Sequence, residues 1–404
     1  MAQGQGQRRD DWQRDVLRDL GAQPRARTAA QGTSGPDAGT APMRTAVART
    51  EANASGTSGT PGAPARTQST PTPPHPPTAL PTGPRTHVTP RTPHPPNLPT
   101  PESTPTLDPR LALAQGRPQH GDSALRRTGR TIRRLTASAA QEVTEESRIA
   151  RDIQQPVTTG RVVAVTSIRG GVGKTTVAAL LGRAFGHYRH DPVLALEADA
   201  ALGTLPVRLG AESVRWACAD LARILHPAMQ LTDITGYLVP VSDGAWLLPA
   251  SQGRVGAPLD VATYRTVTLA LRRHFATTVV DCETLPGEVA RTAMDTAHAR
   301  VVVAPMTPEG VGGTRLVLDW LGQLPHSALT TTVVALTANS PDMTLNAKAA
   351  AAHLRETGVT VVPVPYDRHL AGGGAIDATR LAAGTRQAAT RLAAEALRRA
   401  VRVR

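Results

Sequence analysis

Ser167-Ile168-Arg169-Gly170-Gly171-Val172-Gly173-Lys174-Thr175-Thr176 is the stretch that decides the fold. A short apolar run, Val162-Val163-Ala164-Val165, precedes it, and an amphipathic run from Val177 to Phe185 follows. Strand, glycine turn and helix in that order make the setting of a phosphate-binding loop. The glycines let backbone N–H groups converge on an anion without interference from Cβ atoms. A helix starting at Lys174 points the positive end of its dipole at the same anion. Lys174 adds a full charge near the β- and γ-phosphates, and the Thr175 hydroxyl is placed to ligate Mg²⁺.

Composition supports that reading. The chain has only two lysines, Lys174 and Lys348, and uses arginine elsewhere. A lysine kept at this one loop position points to a need for a compact ammonium. The usual phosphate-loop spacing is not followed, because Ile168 stands where its first glycine would be. The run Gly170-Gly171-Val172-Gly173-Lys174-Thr175-Thr176 instead resembles the loop of the MinD/ParA ATPases.

From residue 161 onward, short apolar runs alternate with longer amphipathic ones. The pattern predicts strands at Val162–Thr166, Val193–Leu196, Ala245–Leu248, Thr278–Val280, Val301–Ala304, Thr332–Thr337 and Val359–Val362. It predicts helices near 174–186, 215–225, 260–275, 287–297, 311–323, 345–356 and 385–402. Continuous Val/Leu strands separated by helices imply an α/β fold, a mainly parallel sheet covered on both faces. Ligands of such sheets bind beyond the carboxyl ends of the strands, where the loop lies.

Acidic segments follow the loop in order. Glu197-Ala198-Asp199 ends one strand, and Thr278-Val279-Val280-Asp281-Cys282-Glu283 ends another. A carboxylate closing a buried strand beside a phosphate loop is placed to hold Mg²⁺ directly or through water. Helix capping is the alternative use of such an acid. Resemblance to MinD/ParA proteins implies roles for them: Asp199 orients the attacking water, and Asp281 is the metal-side acid together with Thr175. Glu197 stands where the family has an aspartate. Leu248-Pro249-Ala250-Ser251-Gln252 resembles a MinD segment that follows the first switch.

The same resemblance, over about 158–404, implies a P-loop NTPase that binds ATP and Mg²⁺ and closes as a homodimer. Gly170, Gly171, Val172, Gly173, Lys174, Thr175 and Thr176 would hold the phosphates. Asn339, Pro365 and Asp367 would lie on the adenine side. Arg169 occupies the position of the family's signature lysine and would reach the phosphates of the facing subunit. Pro365-Tyr366-Asp367-Arg368-His369-Leu370, the Gly372-Gly373-Gly374 turn and Gln154-Gln155-Pro156 resemble a narrower set, the EspI-like MinD relatives of actinobacteria linked to type VII secretion. That likeness implies a switch that positions or regulates a partner machine. A non-hydrolysing scaffold and a DNA-partitioning ATPase stay open as alternatives.

Ahead of this domain the composition changes. Of 35 prolines, 21 lie between Pro24 and Pro118, and Trp12 is the only aromatic residue before Phe185. Such a stretch cannot bury enough apolar surface to offset its ordering entropy. Residues 24–121 are therefore expected to be a disordered Pro/Thr-rich region, a place for a protein partner to dock. Residues 1–23 are expected to be a charged tail or short helix, with Trp12, Val16 and Leu20 on one face by their spacing. Residues 122–157 are expected to be a basic helical linker ending before Pro156, and 158–404 the ATPase domain.

The net charge of +13 is spread over the chain, +7 in residues 1–160 and +6 in 161–404. With few aromatics among the basic residues, stacking on single-stranded nucleic acid is not expected. Cys218 and Cys282 give no disulfide framework and read as packed thiols. The sequence holds no secretory apolar region and reads as cytoplasmic. The last helix is basic, but its apolar face is short. Weak contact with anionic lipid at the inner face of the plasma membrane, or with DNA, is the most it suggests.

Overall fold

Strand β2 (Arg161–Thr166) feeds the glycine loop, and every residue in it is buried. Its side chains alternate between two separate cores. Val162 and Ala164 face one, and Val163 and Val165 face the other. A strand apolar on both faces is stable only inside a sheet covered on both sides. That single strand therefore dictates a three-layer arrangement.

The computed structural model describes residues 100–122, 139–199, 203–252, 259–323 and 328–403. The main sheet has eight strands in the order β10-β9-β8-β2-β7-β3-β6-β5. They are β3 (Val193–Ala198), β5 (Val239–Pro240), β6 (Ala245–Leu248), β7 (Thr277–Cys282), β8 (Ala299–Pro305), β9 (Thr332–Thr337) and β10 (Thr360–Val364), together with β2. All neighbours run parallel except the β5–β6 pair at one edge. Each strand expected from the sequence is present within a few residues.

Helices cover both faces. On the Val162 side lie α5 (Cys218–Ile224), α7 (Val261–Leu271), α8 (Glu288–Thr296), α9 (Pro308–Gln323) and α10 (Ala347–Arg355). On the Val163 side lie α2 (Ala139–Ile153), α3 (Lys174–Tyr188), α4 (Leu205–Leu209) and α12 (Ala383–Arg402). Three short elements complete the domain: β4 (Ser213–Val214), α6 (Leu231–Thr235) and α11 (Arg368–Ala371). Cys218 and Cys282 are buried free thiols, as expected.

Helix α12 uses its apolar face internally. Leu392, Ala396, Leu397 and Ala400 are all buried against the sheet side. A membrane could reach that face only if the helix undocked. No helix among the described residues is long and apolar enough to cross a membrane.

The linker helix α2 stops at Ile153, just ahead of Pro156, which disfavours helical backbone at the residue before it. Arg189 finishes it by donating from Nη1 to the carbonyls of Ile153 (2.6 Å) and Gln155 (3.0 Å). The basic run Arg126 to Arg134, the tail 1–23 and residues 24–99 lie outside the described residues.

Residues 100–121 depart from the sequence expectation. Instead of belonging to a disordered region, they are laid along the domain. β1 (Thr104–Pro105) pairs antiparallel with β4, and Thr106 N–H donates to Glu212 O at 3.0 Å. After the short helix α1 (Pro109–Ala114), Pro118 O accepts from Arg380 Nη1 at 2.8 Å. Gly121 N–H then donates to Arg380 O at 2.8 Å, and Ala383 N–H reaches Asp122 Oδ2 at 3.3 Å. Composition weighs the apolar surface a segment can bury. It cannot see a segment held by a few hydrogen bonds, backbone and side-chain, to residues far away in the chain.

A chain lacking residues 1–99 should therefore melt with the full-length protein. One lacking 1–122 should melt lower, by about 2–4 °C for each kcal/mol of lost docking. Thermal unfolding followed by circular dichroism checks this; equal melting of both truncations would mean the docked segment contributes nothing.

Candidate nucleotide-binding site

The loop is shaped by two glycines with left-handed backbone, Gly171 at φ 72° and Gly173 at φ 97°, where a side chain would strain the chain. The first intrahelical bond of α3 runs from Val177 N–H to Gly173 O at 2.8 Å. The N–H groups of Lys174, Thr175 and Thr176 come before it and are left to an external acceptor. Gly170 and Gly171 are exposed at the tip, and Val172 is buried beneath it. Thr337, at the end of β9, donates from Oγ1 to Val172 O at 3.0 Å and ties the loop to the sheet.

A second loop is stitched to the first. Leu285 N–H donates to Ser167 O at 2.9 Å, and Thr166 Oγ1 donates to Glu283 O at 2.8 Å. Lys174, only 8% exposed, points its ammonium at Thr284 Oγ1, 2.9 Å away. The lysine thus holds the loop after β7 by a contact that a phosphate would compete for.

Strand order brings the acids to the same place. β7 lies between β2 and β3, with Asp281 level with Val165 on one side and Glu197 on the other. Asp281 is fully buried, and neither carboxylate oxygen has a hydrogen-bond partner. Burial pushes its pKa up to about 8. The neighbouring Thr175 hydroxyl and Lys174 charge pull it down, while Glu197 and Asp199 push it further up. An orphaned buried carboxylate beside a threonine hydroxyl is a hard-oxygen donor pair suited to Mg²⁺. No cluster of three or more His, Cys, Asp or Glu side chains able to hold a metal occurs among the described residues. Phosphate oxygens and water would have to complete the ion's shell, which is the usual manner of Mg²⁺ at a nucleotide.

Glu197 does something different from a reacting acid. Its Oε1 accepts from Leu205 N–H at 3.0 Å, the first residue of α4, and its Oε2 accepts from Ala250 N–H at 3.1 Å. It is buried and joins the loop after β3 to the loop after β6. The longer glutamate arm spans this gap, and Gly203 is glycine because a Cβ there would sit 2.1 Å from Glu197 Oε1. The Glu283 carboxylate lies against the start of α8, where a Cβ at Gly287 would sit 2.0 Å from its Oε1; burial raises its pKa, and the nearby N–H groups of Ala290 and Val289 pull it down. Asp199 lies half-buried just past β3, close enough that its charge raises the pKa of Glu197, Asp281 and Glu283. Arg169 is exposed on the loop and pairs with no acid among the described residues.

Of the residues expected on an adenine side, Asn339 and Pro365 are exposed just past the adjacent parallel strands β9 and β10. Asp367 is only 3% exposed and turned inward. Its Oδ1 caps α11 through His369 N–H (2.9 Å) and Leu370 N–H (3.3 Å), and Oδ2 takes Ala382 N–H (2.8 Å). It shapes the loop and has little capacity left for a base. Arg208 was not foreseen: from α4 it bonds Thr176 Oγ1 at 2.9 Å. No sequence spacing signals a contact across 32 positions.

Sequence comparison now has a site to bear on. ESX-1 secretion-associated protein EspI of Mycobacterium tuberculosis H37Rv is 26% identical over 217 residues, 52% of this chain and 32% of that protein. Septum site-determining protein MinD of Synechocystis is 30% identical over 155 residues, 37% of this chain and 54% of that one. The chain is similar to EspI and to MinD. It thus matches about a third of EspI and about half of MinD. Among solved structures, MinD complexed with Mg-ADP from Pyrococcus horikoshii aligns over 58% of this chain and 94% of that one, at 22% identity and a TM-score of 0.44. No protein-family model matches.

Burial raises the Glu197 pKa from 4.5 to about 7, against the pull of its two backbone donors. The unfolded chain therefore loses this proton first as pH rises. The stability contributed by protonated Glu197 is present below pH 4.5 and lost as pH rises through about 7. The unfolding free energy of wild type minus that of Glu197→Gln should fall across this window, and a flat difference would contradict it. Below pH 4.5, where the carboxyl is protonated in both folded and unfolded chains, Glu197→Ala should cost about 1–3 kcal/mol, because two buried N–H groups lose their acceptor.

Proposed function

We propose that this chain is an ATP-dependent switch: it binds ATP with Mg²⁺, pairs with a second copy, and reopens on slow hydrolysis. The observation that carries the reading is the meeting of Lys174, Thr175 and the orphaned Asp281 carboxylate at the carboxyl ends of β2 and β7. A helix dipole, converging N–H groups and an ammonium favour a polyphosphate there. The unpaired carboxylate favours the cation that travels with it.

Each residue then has a task. The N–H groups from Gly170 to Thr176 cradle phosphate oxygens. Lys174 transfers its ammonium from Thr284 to the terminal phosphates, so the loop after β7 responds to their presence. Thr175 and Asp281 hold Mg²⁺, which supplies charge neutralisation of the transferring phosphoryl group. Asp199 orients the attacking water. Arg169, exposed and free of an acid partner among the described residues, reaches the facing subunit and offsets charge there in trans. Asn339 and Pro365 border the base.

Similarity to EspI extends the reading to a partner. The switch would position or regulate a secretion machine, with the Pro-rich stretch of residues 24–99 recruiting a protein partner. A peripheral place at the inner face of the plasma membrane fits such a role. The buried apolar face of α12 leaves only its arginines for anionic lipid or DNA.

ATP titration calorimetry, sedimentation and phosphate release, run on the same variants, separate these tasks. Lys174→Ala should lose detectable ATP binding. Asp199→Ala should keep binding and lose turnover by about 10²-fold or more. Arg169→Ala should bind ATP as a monomer but dimerise and turn over less. Wild type that binds and dimerises without releasing phosphate would make the chain a scaffold. ATP binding unchanged by Lys174→Ala would refute the site.

A further inference from the structure

Arg208 is a cation without an acid. Its guanidinium is half-buried on α4, burial lowers its pKa, and no carboxylate among the described residues pairs with it. Buried arginines are ordinarily neutralised by carboxylates or anions, since an uncompensated charge out of water is costly. What it does touch is specific. Nη2 donates to Thr176 Oγ1 at 2.9 Å and to Leu370 O at 3.0 Å, and Nη1 donates to Gly374 O at 3.3 Å. One side chain thus joins the third residue of α3, in the phosphate loop, to α11 and the turn after it, which follow the base-side residue Pro365.

The Thr176 contact has a directional consequence. A hydroxyl that accepts the Arg208 proton on a lone pair must turn its own hydrogen elsewhere. The Thr176 N–H is also free of an intrahelical acceptor, since the first such bond begins at Val177. Two donors of one residue are then available to one anion, with a guanidinium directly behind them. In the proposed nucleotide site, Lys174 serves the β- and γ-phosphates and Thr175 the metal. The phosphate nearest the sugar is left for Thr176, on the way to the base-side turn that Arg208 also holds.

We propose that Arg208 is a positioning residue for the α-phosphate of the bound nucleotide: it orients the Thr176 hydroxyl and supplies the charge that offsets that phosphate. The assignment rests on the nucleotide-site reading above. It adds a requirement beyond it, namely that affinity depends on an arginine from the helix after the first acidic switch. The same guanidinium keeps the base-side turn at a fixed distance from the phosphate loop, so it sets the span in which sugar and α-phosphate lie.

The test uses the full chain with ATP and the two diastereomers of its α-phosphorothioate, in which sulfur replaces one or the other non-bridging α-oxygen. Wild type should bind one diastereomer several-fold more tightly. Arg208→Ala and Thr176→Val should each weaken ATP about tenfold, as expected for losing a charge-assisted hydrogen bond or its mediator. Both should abolish the preference between diastereomers. The double variant should be no weaker than either alone, because the two residues act as one unit. Arg208→Lys should keep part of the affinity and little of the preference, having charge without the fork. The diastereomer ratio does not depend on the fraction folded, so a destabilised variant still reports. An unchanged preference in Arg208→Ala would overturn the assignment while leaving the nucleotide site intact. Failure of wild type to bind ATP at all would remove both.

Discussion

The Asp281 carboxylate, buried and without a hydrogen bond, is the constraint around which this domain is arranged. Nothing in folding favours such a group, since an ionised carboxylate out of water costs several kcal/mol unless it is paired. The sheet forms nonetheless because β7 is apolar on both faces before it, and Val279 and Val280 lock it between β2 and β3. The strand order that buries the valines also delivers Asp281 to the Thr175 hydroxyl. Burial makes this acid hold its proton to higher pH than an exposed carboxyl, its pKa pushed up to about 8.

Around that point, loops that are distant in sequence are fastened to one another. Lys174 bonds the loop after β7, Glu197 bonds the loops after β3 and β6, and Arg208 bonds α11 and the turn after it. Each bond crosses from one strand's carboxyl end to another's. A ligand that captures Lys174 therefore changes the restraint on its neighbours. The docked segment 100–122 rests on the same periphery, at β4 and near Arg380 and Ala383.

The sequence made the sheet legible because its strands are continuous Val/Leu runs and its longer helices are periodic. Small elements escaped: α4 and α6 are five residues each, too short for a period to show. The strand, glycine turn and helix around Lys174 and the strand-end place of Asp281 were legible, because glycines between an apolar and an amphipathic run mark a turn and an acid after a valine run marks a strand's end. Glu197 and Asp367 were harder, because capping and binding ask for the same residue type. Only geometry shows that Glu197 spends both oxygens on backbone N–H groups, and that Asp367 does the same. Arg208 carried no signal, since the Gly374 carbonyl it bonds lies 166 positions away. The docking of residues 100–122 was hidden for a related reason: its backbone and side-chain bonds reach residues more than a hundred positions away.

The most direct measurement of the central claim is the Mg²⁺ dependence of stabilisation by ATP, compared between wild type and Asp281→Asn by thermal unfolding. If Asp281 waits for the cation that accompanies a nucleotide, wild type gains much more stability from ATP with Mg²⁺ than from ATP with chelator. Asp281→Asn, which carries no charge to be neutralised, should melt higher than wild type without ligand and gain the same from ATP with or without Mg²⁺. A variant that keeps the full Mg²⁺ dependence of wild type would show that the ion is held elsewhere and would contradict the account.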